Sequence, residues 1–110
     1  MAYASAIEAL ADPTRRAVFE SLRLGPKPVV EIARGLPVSR PAVSQHLRVL
    51  REAGLVRERR DGTRHFYSVD GDGLAEVREY FEEFWEEALE AFKAAAERET
   101  RGDQNDPSDH

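Results

Sequence analysis

Arginine is concentrated in the middle of this 110-residue chain. Seven arginines and only three acidic residues fall within residues 40–64, although the formal net charge of the whole chain is -5. Ser44 and Gln45 lie among them, in the stretch SRPAVSQHLRVLRE. Arginine binds phosphates and guanine edges, glutamine pairs with adenine edges, and serine bonds to either bases or phosphates. These residue types predict a polyanionic partner, and double-stranded DNA suits them.

The elements that must position these side chains follow from periodicity and capping signals. A short helix over about 5–11 precedes a second helix, which has Asp12 as its N-cap and Pro13 in its first turn. A third helix is predicted over about 29–34, with Gly35 as a left-handed cap. Three short helices therefore lead into the arginine-rich segment.

A fourth helix is predicted to carry the side chains that would contact DNA. Ser39 is a good N-cap, and Gly54 ends the helix in a Schellman arrangement. The apolar residues Val43, Leu47 and Leu50 recur at spacings of four and three, so they should face inward. Small and apolar residues before this helix suit the crossing of a helix-turn-helix pair.

Six other residues of this helix must then point outward or to its flanks. They are Arg40, Pro41, Ser44, Gln45, Arg48 and Arg51. An ordinary polar helix face would look similar, but a basic hairpin follows here, which favours DNA. We predict that the DNA-binding residues are Arg40, Pro41, Ser44, Gln45, Arg48, Arg60, Thr63 and Arg64.

Two β-prone runs, LVRERR and TRHFYSV, predict that hairpin over about 55–69. Asp61-Gly62 between them is a strong turn signal, because a type I′ turn needs positive φ at both central residues. The arginines of the hairpin suit contact with the DNA backbone beside the groove. His65, on the second strand, is expected to be solvated, although phosphate contact is an alternative. His46, beside Leu47, is expected to be packed and hydrogen-bonded.

A long helix, capped by Asp70 or Asp72, is predicted over about 72–98. Its apolar stripe is too long for the small N-terminal body to cover, so we predict a dimer interface shared with the first helix. The interface residues are Ile7, Leu10, Val77, Phe81, Phe84, Trp85, Ala88, Leu89 and Phe92. The alternative is a pocket for an apolar effector lined by Tyr80, Phe81, Trp85 and Phe92. The glutamates on the opposite face favour solvation over a divalent-ion site.

Composition excludes several functions. There is no cysteine, and the three histidines are scattered, so we expect no thiolate chemistry, metal site or cofactor. No apolar run spans a membrane and no leader pattern begins the chain, so a cytoplasmic location is expected. No nucleophile–base pair, glycine-rich phosphate loop or paired-acid cleft is visible, so the chain should not be an enzyme.

The segments ALADPTRRAVFESL and VVEIARGLPVSRPAVSQHLRVLREAGLVRERRDGTRHFYSVD resemble the ArsR/SmtB family of bacterial winged-helix repressors over about residues 5–70. FEEFWEEALEAF further resembles a subgroup often encoded beside an SRPBCC-type lipid-pocket protein. The resemblance implies a homodimer that binds an imperfect palindrome, usually represses its own operon and leaves DNA when an effector binds. It also implies groove-reading roles for Ser44 and Gln45, flanked by Arg40 and Arg48, and a wing over 57–64.

Departures from the family pattern bear on the effector. Many relatives sense metals through a Cys-x-Cys pair, and the matching positions here look like Pro28 and Val30. Others use histidine and acidic ligands on the last helix, which has no histidine here. Pro37 stands where the turn often has glycine, with Gly35 two residues earlier. We therefore expect a regulator of the non-metal-sensing type with a slightly altered turn.

The expected fold is mainly α with a small β-hairpin: a winged helix-turn-helix dimerised through its terminal helices. Residues 1–99 should form the DNA-binding and dimerisation domain, and 100–110 a disordered tail. The expected function is homodimeric, sequence-specific DNA binding that represses the chain's own operon, with a small-molecule effector left open. Two rivals are a winged-helix module that binds protein instead of DNA and a small-molecule-binding protein.

Overall fold

The computed structural model describes residues 2–105, with the side chains of residues 4–101. Within this range the elements are α1 (Ala2–Ala11), α2 (Pro13–Glu20), α3 (Val29–Arg34), α4 (Arg40–Glu52), β1 (Val56–Asp61), β2 (Arg64–Val69) and α5 (Gly71–Asn105). The predicted fold class, mainly helical with one antiparallel hairpin, is confirmed. The chain divides into two compact units, Met1–Arg78 and Glu79–His110.

Side-chain caps fix where α2 and α4 begin. The Asp12 carboxylate accepts hydrogen bonds from the backbone N–H groups of Thr14 (2.9 Å) and Arg15 (3.0 Å). The Ser39 hydroxyl accepts one from the N–H of Ala42 (3.2 Å). Each cap satisfies N–H groups that have no partner within the first helical turn. Both predicted caps are confirmed.

A Schellman motif ends α4, as predicted. Gly54 has a φ of 81°, a value that glycine adopts without steric penalty. The N–H of Leu55 donates to the carbonyl of Leu50, and that of Gly54 to the carbonyl of Arg51, both at 3.0 Å. The reversal turns the chain directly from α4 towards β1.

The end of α3 differs from its prediction. Gly35 has φ -90° and ψ 0°, so it is right-handed, and the predicted left-handed cap is wrong. The N–H groups of Gly35 and Leu36 instead donate to the carbonyls three residues earlier, Ile32 (3.2 Å) and Ala33 (3.3 Å). These bonds tighten the last turn in 3₁₀ fashion and satisfy the terminal carbonyls without positive φ.

The core lies within the unit Met1–Arg78. Its large, fully buried side chains are Val18, Leu22, Ile32, Val43, Leu47, Leu50, Leu55 and Val56. Helix α1 contributes the small residues Ala6 and Ala9 to the same cluster. Val77, near the start of α5, is also buried in it, with 8% of its surface exposed. Its assignment to a dimer interface was therefore wrong, because the chain itself already covers this side chain.

The hairpin turn lies one residue later than predicted. The strands pair from Val56 opposite Val69 to Asp61 opposite Arg64, which leaves Gly62 and Thr63 as the loop. Only Gly62 has positive φ, 67°, which is the pattern of a type II′ turn and not of type I′. The opposite charges of Asp61 and Arg64 favour their pairing across the strands over a place for Asp61 in the turn.

A short backbone bridge extends the hairpin on one side. The N–H of Lys27 donates to the carbonyl of Tyr67, and the N–H of Tyr67 to that of Lys27, both at 2.9 Å. Strand β2 thus has partners on both edges at this point. On its other edge, β1 has no strand partner among the residues that the structure describes.

The side chain of Asp70 caps the start of α5. Its carboxylate accepts hydrogen bonds from the N–H groups of Asp72 (3.1 Å) and Gly73 (3.4 Å). A Cβ on Gly73 would lie 1.7 Å from the carbonyl oxygen of Gly54, so glycine is needed for this close approach. The C-terminal end of α4 and the first turn of α5 are therefore in backbone contact.

Helix α5 is longer than predicted. It continues to Asn105, whereas we expected an end near Arg98 and disorder from residue 100 onwards. The prediction is wrong for 100–105, where the Thr100 hydroxyl also donates to the carbonyl of Ala96 (3.0 Å). The residues just before this stretch, Glu97, Arg98 and Glu99, are good helix formers. Residues 106–110, the rest of the predicted tail, lie outside the described range. No described helix is both long enough and apolar enough to cross a membrane.

Candidate nucleic-acid interface

The rotation of α4 about its own axis is set by its buried side. Val43, Leu47 and Leu50 each have 0% of their surface exposed, as the periodicity predicted. Helix α3 packs against α4, and the turn residues Leu36 and Val38 pack against the same core. Since residues three and four apart share a helix face, the buried side dictates which residues α4 presents to solvent.

The presented face carries the predicted groove-reading residues. Pro41, Ser44, Gln45 and Arg48 are exposed and follow the spacing of three, one and three that forms one continuous stripe. We call these four residues the reading stripe. Arg40, at the start of α4, is exposed as well. Donors and acceptors of the types that contact base edges thus lie on a single helix face.

Arg48 also forms an ion pair within α4. Its Nε lies 3.7 Å from a carboxylate oxygen of Glu52, and about two thirds of each side chain is exposed. Such exposed pairs contribute little stability and exchange readily for other partners. Arg48 therefore remains available to a ligand with stronger negative charge.

The hairpin register places its arginines on two faces. Arg57, Arg59 and Arg64 share one face, whereas Arg60 lies on the other. Arg64 has its guanidinium carbon 5.1 Å from the ring centre of Phe66, in a cation–π contact. The structure therefore does not bring the predicted phosphate contacts Arg60 and Arg64 together, and Thr63 lies in the exposed turn between them.

Arg57 is engaged by an acidic partner. Its guanidinium lies 3.1 Å from the Asp70 carboxylate, the same group that caps α5. The hydrogen bond from Arg57, together with those from the backbone of Gly73 and Asp72, holds the pKa of Asp70 below its ordinary value. Arg57 therefore joins the hairpin to the start of α5, and it is less available to DNA than Arg59.

A second acidic group, Glu58, lies on the face of the hairpin that carries Arg60. One of its oxygens accepts a hydrogen bond from Arg51 of α4 at 2.6 Å. The other contacts Nδ1 of His65 and accepts a hydrogen bond from the Tyr67 hydroxyl at 3.3 Å. Glu58 therefore connects the end of α4 to both strands.

The charges around Glu58 shift its pKa and that of its neighbour. The hydrogen bond to His65 holds the pKa of Glu58 below its ordinary value, with smaller contributions from Tyr67 and Arg51. Burial and the nearby carboxylate raise the pKa of Tyr67. Glu58 is thus an anion at neutral pH, and sequence reasoning missed it. The signal was available, since the predicted turn at Asp61-Gly62 places Glu58 directly opposite His65.

An open cleft of about 310 Å³ lies between α3, α4 and β2. It is lined by Pro28, Val29, Val30, Arg40, Arg64, His65 and Tyr67. Its position beside the start of α4 places it next to the reading stripe. Its lining combines apolar residues at the start of α3 with the cationic residues Arg40 and Arg64, and the cationic residues favour an anion.

The two described histidines differ from their predictions. His65 was expected to be solvated, but Nδ1 contacts Glu58. His46 is half-buried, as a packed residue should be, yet its buried Nδ1 has no hydrogen-bond partner among the described residues. No group of three or more histidine or acidic residues in the described part of the chain is arranged to hold a metal ion.

The apolar stripe of α5 is exposed. Phe81, Phe84, Trp85, Leu89 and Phe92 have between 36% and 72% of their surface accessible, and Trp85 has 65%. Trp85, Ala88, Leu89 and Phe92 line an apolar groove of about 370 Å³. On α1, Ile7 is exposed and Leu10 is half-buried. Exposed aromatic surface on this scale indicates an interaction site.

Comparisons with known proteins agree with this geometry. A model of the helix-turn-helix domain matches residues 10–59. The chain is 55% identical over 85 residues to the HTH-type transcriptional regulator Rv2034 of Mycobacterium tuberculosis, which covers 77% of this chain and 79% of that protein.

Two solved structures extend the similarity to the fold. The ArsR-like transcriptional regulator from Rhodococcus sp. RHA1 is 32% identical, with a TM-score of 0.73 over 86% of this chain and 92% of that one. The homodimeric winged helix-turn-helix DNA-binding domain of Mb0332 from Mycobacterium bovis, a possible ArsR-family regulator, is 30% identical. Its TM-score is 0.63, over 82% of this chain and 83% of that one.

Proposed function

Because the chain belongs to the ArsR family of winged helix-turn-helix regulators, a family of DNA-binding transcription factors and not of enzymes, we propose that it is a homodimeric repressor of its own operon. It binds an imperfect palindrome in double-stranded DNA and acts in the cytoplasm. The observation that carries the proposal is the reading stripe, which is exposed on the face of α4 opposite three fully buried residues.

Helix α4 reads the major groove. Gln45 is suited to adenine and Arg48 to guanine, because each offers a pair of hydrogen-bonding atoms that matches the base edge. Ser44 bonds to a base or to a phosphate. Arg40, at the N-terminal end of α4, lies where a helix entering the groove passes the sugar–phosphate backbone.

The hairpin acts as the wing and contacts the backbone. Arg60, Thr63 and Arg64 are exposed near its tip, and the engaged Arg57 is less suited to this role. Contacts to phosphates position the protein without reading sequence. The wing therefore raises affinity for all DNA, whereas α4 supplies the preference for one sequence.

Two copies are needed because a single α4 reads only a half-site. The exposed stripe of α5, together with Ile7 and Leu10 of α1, supplies the surface through which the copies pair. The homodimeric state of the similar domain from Mycobacterium bovis supports pairing of two copies. A rigid pair of reading helices binds both halves of a palindrome at once, which raises affinity and specificity together.

Binding to the DNA upstream of the chain's own gene tests the proposal. A gel-shift scan should locate one palindromic segment that competes with random DNA. Gln45→Ala should weaken binding to that segment by about 1–3 kcal/mol and relax its sequence preference, with a much smaller effect on random DNA. Arg64→Ala should weaken all DNA similarly and reduce the salt slope by about one.

Arg23→Ala is a matched control, since Arg23 is exposed in the turn after α2 and has no predicted DNA role. It should leave both affinities close to those of the unmodified protein. Equal losses on the upstream segment and on random DNA for Gln45→Ala would refute base reading by α4. Absence of salt-dependent binding to any DNA would instead favour the protein-interaction module.

A further inference from the structure

We propose that His65, oriented by Glu58, forms with Arg40 a proton-dependent site for a DNA backbone phosphate in the cleft between α3, α4 and β2. This inference rests on the proposed function and specifies how the wing takes part in it. It assigns a role to a histidine that sequence analysis expected to be solvated. The ligand class is a phosphate oxyanion.

The contact with Glu58 determines which nitrogen of the His65 ring carries a proton. Nδ1 of His65 contacts a carboxylate oxygen of Glu58, and the pKa of Glu58 is lowered mainly by this hydrogen bond. An ionised carboxylate only accepts hydrogen bonds, so Nδ1 must carry the proton and donate. The other ring nitrogen, Nε2, is then the one left to interact with a ligand.

The Glu58 carboxylate is itself held in place by hydrogen bonds. Arg51 of α4 and the hydroxyl of Tyr67 donate to its two oxygens, at 2.6 Å and 3.3 Å. The carboxylate is therefore held between α4 and both strands of the wing. A ring that donates to a carboxylate fixed in this way has a fixed orientation, as histidine ligands do when a carboxylate supports them.

The protonation state of His65 decides whether Nε2 accepts or donates a hydrogen bond. In the neutral ring Nε2 has a lone pair, which repels a phosphate oxygen. In the imidazolium Nε2 carries a proton and donates a charge-assisted hydrogen bond to that oxygen. Protonation of the ring therefore changes the site from one that repels phosphate to one that binds it.

Most of the charged residues around His65 are cationic. The charged and titratable groups near His65 are Arg40 and Arg51 of α4, Glu58 and Arg60 of β1, and Arg64 and Tyr67 of β2. Lys27 pairs with Tyr67 through the backbone. The residues that line the cleft at the start of α3, which are the N-cap Pro28 and the helix residues Val29 and Val30, have no charge. The acids of the hairpin are Glu58, which Arg51, His65 and Tyr67 already contact, and Asp61, which lies opposite Arg64 in the strand register. The cleft as a whole therefore favours an anion.

The location of the cleft identifies which phosphate it takes. Arg40 lines the cleft and precedes the reading stripe on α4 by one residue. When α4 lies in a major groove, the sugar–phosphate backbone that borders the groove runs close to the protein beside that helix. A phosphate of that backbone is therefore the anion that reaches Arg40 and His65 together.

The test measures DNA affinity as a function of pH at constant ionic strength, using the full chain. Affinity for both the upstream segment and a random duplex should fall by about fivefold per protomer between about pH 5.5 and 8.5, a size suited to a half-exposed charge pair. His65→Gln cannot acquire a positive charge, so at low pH it should bind DNA more weakly than the unmodified protein. Its affinity should be nearly independent of pH.

His46→Gln is the matched control and should keep the full pH dependence. Glu58→Gln should reduce the dependence, because the ring loses its orienting carboxylate. If His65→Gln retains the pH dependence of the unmodified protein, the inference is wrong while the proposed function stands. If the unmodified protein binds no DNA at any pH, both are wrong.

A second measurement needs no variant. The titration of the His65 ring, followed by NMR, should move to higher pH by about 0.7 unit when DNA is bound, which is the same fivefold preference for the protonated form. An unchanged midpoint would overturn the inference. Inorganic phosphate alone should perturb the ring only at high concentration; if it saturates the site at low millimolar concentration and displaces DNA, the site serves a free anion instead.

Discussion

Trp85→Ala tests the proposed dimer interface most directly. A tryptophan side chain carries about 250 Å² of surface, and 65% of Trp85 is exposed, which leaves about 160 Å² to be covered by a partner. At about 25 cal/mol per Å² its burial contributes about 4 kcal/mol, or about 2 kcal/mol if half is covered. A two-fold dimer contains two copies, so truncation should cost about 4–8 kcal/mol. The dimer dissociation constant should then rise by about three to six powers of ten.

Sedimentation at several protein concentrations measures this dissociation constant, and a parallel titration with the upstream DNA measures the consequence. Trp85→Ala should be monomeric and should bind DNA weakly, even though the reading stripe is intact. Glu83→Ala is the control, because Glu83 lies on the opposite face of α5 and should leave the dimer unchanged. A Trp85→Ala dimer as tight as the unmodified one would refute the interface and favour an apolar ligand in the groove beside Trp85.

Three further outcomes are expected. Gly73→Ala should destabilise the fold by about 1–3 kcal/mol in urea unfolding because of its clash with Gly54, whereas Gly71→Ala, which meets open space, should not; equal effects would contradict the close approach. Because the pKa values of Glu58 and Asp70 are lowered in the folded state, their stabilising contribution is complete above the ordinary values of 4.5 and 3.8 and is lost as the pH falls through the lowered ones. Unfolding free energies measured between about pH 6 and 3 should therefore decrease, and Glu58→Gln should flatten the decrease; an unaltered profile in that variant would contradict the role of Glu58. Micromolar zinc, cadmium or arsenite should leave DNA affinity unchanged in gel shifts, and metal-driven release would refute the non-metal-sensing assignment.

Local signals in the sequence were sufficient to place the reading helix. The caps Asp12 and Ser39 and the Schellman glycine Gly54 act within a few residues, so their geometry depends little on the rest of the fold. The spacing of Val43 and Leu47 then determined which face of α4 is exposed. The reading stripe was therefore predictable, and its contacts with DNA remain a prediction.

Features that depend on register or on tertiary packing were less predictable. A shift of one residue in the turn moves Glu58 from a place opposite His65 to one opposite Tyr67, and turn statistics alone do not separate Asp61-Gly62 from Gly62-Thr63. Val77 fits the periodicity of an exposed stripe, but only the packing of the first turns of α5 shows that it is buried.

The free edge of β1 has a consequence for solubility. An unpaired strand edge is a template on which another chain can add a strand, and such pairing leads to aggregation. Arg59 and Arg60 place positive charge along this strand, whereas the charge of Arg57 is balanced by Asp70, and two such strands brought side by side would repel each other. Arg60, which we propose contacts DNA, thus also helps to keep the wings of separate molecules apart. Neutralising several of these arginines at once should promote aggregation, so single substitutions are the sound way to measure their contributions to DNA binding.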